Sequence, residues 1–170
     1  MEEQRTSRGE LDNIGLYVGS RLCGSTNIKQ LLNLKGREVH TIAPTATVLE
    51  ALKGMSRHEI GALVVLKGSS LAGIISERDY ARKVILTGKS SCDTAVSEIM
   101  SHPVMTITPD HTVSECLSMM TDRRLRHLPV LEKEQVVGLI SIGDLVKSVM
   151  SEQEERIEQF ERYIRGAYPA

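Results

Sequence analysis

Two serine–aspartate pairs stand at matching places in this chain, each three residues behind a glycine: Gly73-Ile74-Ile75-Ser76-Glu77-Arg78-Asp79 and Gly138-Leu139-Ile140-Ser141-Ile142-Gly143-Asp144. These residue types suit a nucleoside phosphate. A serine hydroxyl can donate to a phosphate oxygen, and an ionised aspartate, an acceptor only, suits a pair of ribose hydroxyls. A helix opening at the serine would add unpaired N–H groups and a partial positive charge. The glycine is expected to let a ligand approach the backbone. The same Ser-x-x-Asp spacing is also a capping-box variant, in which the pair does no more than start its helix. The motif alone leaves both readings open.

The elements that must position these pairs also occur twice. An offset of 65 residues aligns residues 39–84 with 104–149 without a gap, matching Val39 with Val104, Thr41 with Thr106, Pro44 with Pro109, Thr47 with Thr112, Glu50 with Glu115, Leu63 with Leu128 and Val65 with Val130. A fixed offset held that long marks an internal repeat. Each copy predicts a short β segment (Val39 to Ile42; Val104 to Ile107), a proline turn, and a helix opened by a Thr-x-x-Glu capping box at Thr47/Glu50 or Thr112/Glu115. Two apolar strands follow, Ala62 to Leu66 with Leu71 to Ser76 and His127 to Leu131 with Val136 to Ser141, across turns short enough for hairpins. A second helix starts after each serine, to about Leu86 in the first copy and much further in the second. The order is β-α-β-β-α, twice.

Around this plan, residues 1–25 carry Gly9, Gly15, Gly19 and Gly24 in no clear period and read as an irregular arm. Ser25 to Lys35 has helical spacing at Ile28, Leu31, Leu32 and Leu34 and ends at Gly36. The first repeat spans 26–86, a polar linker 87–98, the second repeat 99–150 and a helical tail 151–170. In that tail Ile157, Phe160 and Ile164 share one face, an apolar stripe expected to pack within the subunit or across a dimer.

Composition excludes several classes of function. With 170 residues, 41% of them hydrophobic and 25% charged, the chain can bury one ordinary core. A net charge of −1 offers no overall field for nucleic acid or anionic lipid, and an aromatic content of 3% gives no stacking platform. Cys23, Cys92 and Cys116 are odd in number and far apart, which fits neither a disulfide framework nor a zinc site and points to a reducing compartment. No stretch approaches the roughly 20 apolar residues of a membrane span, and Met1 to Arg5 opens no leader pattern. The cytoplasm is the expected location.

Several catalytic signatures are imitated but incomplete. Thr87-Gly88-Lys89-Ser90 lacks the earlier glycine of a P-loop, because Lys83 stands there. His58-Glu59 lacks the second histidine of a zinc-protease helix, because residue 62 is alanine. There is no Gly-x-Gly for a dinucleotide fingerprint and no Gly-x-Ser-x-Gly elbow. No catalytic or metal-ligating residue is assigned.

The repeat plan, the two motifs, and the phrases Ile60-Gly61-Ala62-Leu63-Val64-Val65 and Arg126-His127-Leu128-Pro129-Val130 together resemble a tandem pair of CBS domains, the Bateman module, over residues 26 to about 150. The resemblance implies an α+β fold: two β-α-β-β-α repeats packed about a pseudo-twofold axis, with an N-terminal arm and a C-terminal helical extension. It implies a non-enzymatic module with two clefts for adenosine-containing ligands, often a homodimer, acting on a separate regulated protein. In such clefts Ser76 and Asp79, then Ser141 and Asp144, would meet phosphate and ribose. Adenine would lie by Thr41, Ile42 and Ala62, then by Thr106, Ile107, His127 and Pro129. AMP is the favoured ligand, since each cleft offers one serine and one aspartate, sufficient for one phosphate and one ribose. ATP, ADP, NAD(H) and S-adenosylmethionine remain open, and no cofactor is required.

Charge separates the two copies. The second supplies Arg123, Arg124 and Arg126, whereas the first has His58-Glu59 at the matching positions and Glu77 inside its motif, partly offset by Arg78, Arg82 and Lys83. A unit-charge pair near 4 Å at an effective dielectric of 20 is worth about 4 kcal/mol before desolvation, against about 0.3–1 for a helix terminus. The expectation is therefore that the second motif's cleft is the stronger anion site. The alternatives are a structural dimer whose motifs only cap helices and a nucleic-acid-binding regulator using Arg123 to Arg126; the near-neutral charge argues against the latter.

Overall fold

The computed structural model describes residues 26–167. The arm read over 1–25 lies outside the described residues. The elements are α1 (Ile28–Lys35), β1 (Thr41–Ile42), α2 (Val48–His58), β2 (Ala62–Lys67), β3 (Ser70–Ser76), α3 (Glu77–Lys83), α4 (Val96–Ile99), α5 (Val113–Arg123), β4 (His127–Glu132), β5 (Gln135–Ser141) and α6 (Ile142–Ala167), with a 3-10 turn at Ile85–Thr87. This is an α+β fold of two β-α-β-β-α repeats related by a pseudo-twofold axis.

Local chemistry explains where the long elements begin. In both repeats the threonine hydroxyl accepts from the glutamate N–H (Thr47 from Glu50 and Thr112 from Glu115, 3.2 Å each) and the carboxylate accepts from the threonine N–H at 2.7 and 2.8 Å. These bonds from the threonine backbone hold the Glu50 and Glu115 carboxyls below their ordinary range. Asn27 and Gln30 do the same for α1, at 2.9 and 3.0 Å. α2 and α5 end at equivalent residues in the left-handed conformation, Glu59 (φ 53°) and Arg124 (φ 54°). Glycine is usual there.

The hairpins pair antiparallel with one register in both repeats, Leu63 opposite Ile75 and Val65 opposite Gly73, then Leu128 opposite Ile140 and Val130 opposite Gly138. β1 runs parallel to β2 through Thr41 and Ile42. Its counterpart in the second repeat is shorter than the sequence predicts: the pairing contracts to a single bridge, with Ile107 donating to the Pro129 carbonyl and accepting from the Leu131 N–H.

Each repeat borrows a helix from the other. Ile28, Leu31 and Leu32 of α1 are buried in the second repeat's core with Val113, Cys116, Leu128 and Ile140, while Val96 and Ile99 of α4 complete the first repeat's core with Val48, Ala51, Leu63 and Ile75. Fully burying each such side chain contributes roughly 1.5–3 kcal/mol. Backbone bonds tie both exchanges: Ile28 N to His111 O and Val113 N to Thr26 O on one side, Val48 N to Thr94 O and Val96 N to Ala46 O on the other. The stretch read as a polar linker is thus folded onto the first repeat, with Thr94 buried within it.

This exchange explains the motif glycines. A Cβ on Gly73 would lie 2.6 Å from Met100 Sδ, and one on Gly138 would lie 2.6 Å from Leu32 Cδ2. Both glycines are buried beneath the borrowed helices. The expectation that they admit a ligand is corrected: the close approach they permit is made by protein.

Candidate functional site

Ser76 and Ser141 each sit where a strand turns into a helix, and both cap it. Asp79 Oδ2 accepts from the Ser76 N–H at 3.1 Å and from its hydroxyl at 2.6 Å, while Asp79 Oδ1 accepts from Lys83 Nζ at 2.8 Å and from the Ser101 hydroxyl at 3.0 Å. Asp144 Oδ2 accepts from the Ser141 N–H at 2.7 Å, its hydroxyl at 2.8 Å and Lys35 Nζ at 2.6 Å. Burial pushes both aspartates upward, but the donors outweigh it and leave both carboxyls below their ordinary range, Asp79 through Lys83, Ser76 and Ser101, Asp144 through Lys35 and Ser141. Both are therefore anionic acceptors at neutral pH.

The clefts are built across the repeats. The first motif opens into a cleft of about 700 Å³ whose far wall is the turn from α5 into β4, namely Arg123, Arg124, Leu125, Arg126 and His127, with Ser101 from the segment after α4. Six cationic side chains line it, Arg78, Arg82, Lys83, Arg123, Arg124 and Arg126, against Glu77 and Asp79. The second motif opens into a smaller cleft of about 300 Å³ faced by Glu59, Ile60, Gly61 and Ala62 of the first repeat, with Lys35, Glu38 and His40. Glu38, Glu59 and Asp144 there meet Lys35 alone among lysines and arginines.

This reverses the expected charge assignment. The arginines of the second repeat face the first motif, and Glu59 of the first repeat faces the second. The sequence reasoning assigned each charged turn to the motif on its own repeat, whereas the pseudo-twofold packing apposes each motif to the other repeat's turn. α3 is also only seven residues long, so in the first cleft positive charge comes from guanidinium groups far more than from a helix dipole.

Gly61, His127 and Ser141 line both clefts, so the two adjoin. Burial pushes the His127 imidazole below its ordinary value, with Arg126 and Lys35 acting in the same direction and Asp144 and Asp79 opposing. Of the other residues assigned from sequence, Arg78, Arg124 and Arg126 line the first cleft and Ala62 the second. Thr41, Ile42, Thr106, Ile107 and Pro129 line neither of these clefts; Ile107 and Pro129 are buried and Ile42 packs against the first core. Lys35 and Ser101 escaped notice, because Lys35 and Asp144 are 109 residues apart and nothing local joins them.

The sequence model of the CBS domain matches residues 33–85 and 96–151. The chain belongs to the CBS-domain family. It is 40% identical over 153 residues to the CBS domain-containing protein CBSX3, mitochondrial, of Arabidopsis thaliana, covering 85% of this chain and 74% of that one. The CBS domain-containing protein YhcV of Bacillus subtilis is 30% identical over 116 residues, 68% of this chain and 82% of its own. Among solved structures, the CBS-domain containing protein ATU1752 from Agrobacterium tumefaciens superposes with a TM-score of 0.70 at 38% identity, covering 72% of this chain and 98% of that one. The CBS domain pair of MJ0100, solved with 5-methylthioadenosine and S-adenosyl-L-methionine, gives 0.67 at 25% identity, covering 75% and 98%. As a CBS pair, this chain shares its fold with a protein that binds adenosine compounds. Among the described residues no helix is long and apolar enough to cross a membrane.

Proposed function

We propose that this CBS pair is a non-enzymatic regulatory module that binds an adenine nucleotide in the first-motif cleft, AMP being the favoured ligand. The observation that carries the reading is the cross-repeat apposition: Ser76 and Asp79 on one wall, and Arg124 and Arg126 on the other. Phosphate would sit between the Ser76 hydroxyl and the guanidinium groups, and the ribose hydroxyls would donate to Asp79 in place of Ser101 or Lys83. The cation excess also suits longer phosphate chains, so ADP, ATP and NAD(H) belong in the same titration. The acidic second cleft suits a neutral or cationic adenosine compound better than a phosphate, and S-adenosylmethionine is of that kind.

Because each cleft has walls from both repeats, a bound ligand favours one relative orientation of the repeats and so alters a surface offered to a separate regulated protein. That partner must change ligand affinity by the same factor, by linkage. A homodimer in the cytoplasm is part of the reading. Calorimetry with AMP tests it: binding is expected in the wild type and in Asp144→Ala, and is lost in Asp79→Ala. Absence of binding by AMP, ADP, ATP and NAD(H) alike would overturn it.

One observation favours a second reading, a structural module whose motifs only cap helices: Asp79 already accepts four bonds within the chain. Melting separates the two. A ligand at 100 times its dissociation constant adds about 2.7 kcal/mol of stability, and a purely structural module gains nothing.

A further inference from the structure

We infer that the Ser101 hydroxyl is a built-in competitor for ribose: it occupies Asp79 until a nucleotide displaces it, and so lowers the affinity of the first cleft. This rests on the nucleotide reading of that cleft and concerns what the ribose must displace there. A carboxylate offers about four acceptor positions, and Asp79 fills them with the Ser76 N–H and hydroxyl on Oδ2 and with Lys83 Nζ and the Ser101 hydroxyl on Oδ1. Two ribose hydroxyls therefore need two of these donors to leave. One leaves when the Ser76 hydroxyl turns to phosphate.

Of the other three, Ser101 is the least costly to move. The Ser76 N–H belongs to the backbone where β3 turns into α3, and breaking its bond would undo half of the capping box. Lys83 is charged and donates a second bond, to the Ile99 carbonyl at 2.7 Å, so it is held from two sides. The Ser101 hydroxyl is neutral and lies 3.0 Å from Asp79 Oδ1, and a ribose hydroxyl replaces it like for like. Its backbone is held independently: the Ser101 N–H donates to the Ile74 carbonyl at 2.8 Å, and the Ile74 N–H donates to the Ser101 carbonyl at 3.2 Å. Rotation of one side chain thus frees the position while the bridge to β3 stays. Asp144 takes its donor from beyond its own motif as a cation, Lys35 at 2.6 Å, so the like-for-like exchange belongs to the first cleft.

Calorimetry on the full chain tests it, with AMP and with dideoxy-AMP, which lacks both ribose hydroxyls. Ser101→Ala is expected to bind AMP about 3- to 10-fold more tightly than the wild type, the worth of one hydrogen bond net of the water that replaces it. Its affinity for dideoxy-AMP should not rise. Ser101→Thr, which keeps the hydroxyl, should bind AMP as the wild type does. Unchanged or weaker AMP binding by Ser101→Ala would overturn the inference while the nucleotide reading stands, and so would an equal gain for dideoxy-AMP. No binding of AMP by either form would also overturn it, and if ADP, ATP and NAD(H) fail as well, the nucleotide reading falls with it.

Discussion

The guanidinium of Arg78 donates to the backbone carbonyl of Arg124 at 3.1 Å, so the motif helix of the first repeat holds the left-handed turn of the second. Arg124 closes α5 at φ 54°, a conformation that costs a non-glycine residue roughly 1–2 kcal/mol. The contact brings the arginine-rich turn to Ser76 and makes the first cleft cationic.

Replacing Arg124 with Gln should weaken nucleotide binding about 10- to 100-fold, the worth of one charge-assisted hydrogen bond at about 1.5–3 kcal/mol. Placing the equivalent cation in the other cleft, by Glu59→Arg, should create or strengthen an anion site beside Ser141. Calorimetric stoichiometry with AMP checks both, and an Arg124→Gln affinity equal to wild type would refute the charge assignment.

Capping and binding can be told apart by a matched pair of variants. Thr112→Ala and Ser76→Ala each remove a helix cap and should each cost about 0.5–2 kcal/mol in denaturant unfolding. Only Ser76→Ala should also lose nucleotide affinity, since Thr112 lines neither cleft.

A methyl group at either motif glycine collides with a borrowed helix. Gly138→Ala should cost about 1–3 kcal/mol by overpacking against Leu32, and Gly73→Ala a similar amount against Met100 and the Ser101 carbonyl, 3.2 Å away. Combining Gly73→Ala with Met100→Ala should cost less than the sum of the two single changes. Unfolding curves of the four variants read this directly.

Stability should fall in two pH windows. His127 has a folded value below its unfolded one, so the unfolded chain takes up the proton first, and stability declines as pH drops through about 6.5. His127→Gln should flatten that decline. Asp79 and Asp144 are also depressed; their contribution is present above the unfolded value of about 3.9 and is lost as pH falls further. Melting temperatures across pH 3 to 8, a range of about five units chosen to span both windows, would show whether the upper step vanishes in the variant.

The duplication, both Thr-x-x-Glu caps, the hairpins and the family were legible in sequence because each rests on residues close along the chain: Thr47 finds Glu50 one helical turn away, and Ser76 finds Asp79 in the same manner. Local periodicity also marked the stripe of Ile157, Phe160 and Ile164. What lies across the pseudo-twofold axis was decided only by the tertiary structure. The exchange of α1 and α4 between cores, the pairing of Lys35 with Asp144, and the placement of Arg123, Arg124 and Arg126 in the cleft of Asp79 instead of that of Asp144 all join residues far apart in the chain. A repeated sequence specifies two like units, but not which wall of one faces which motif of the other; that follows from how their apolar faces pack together.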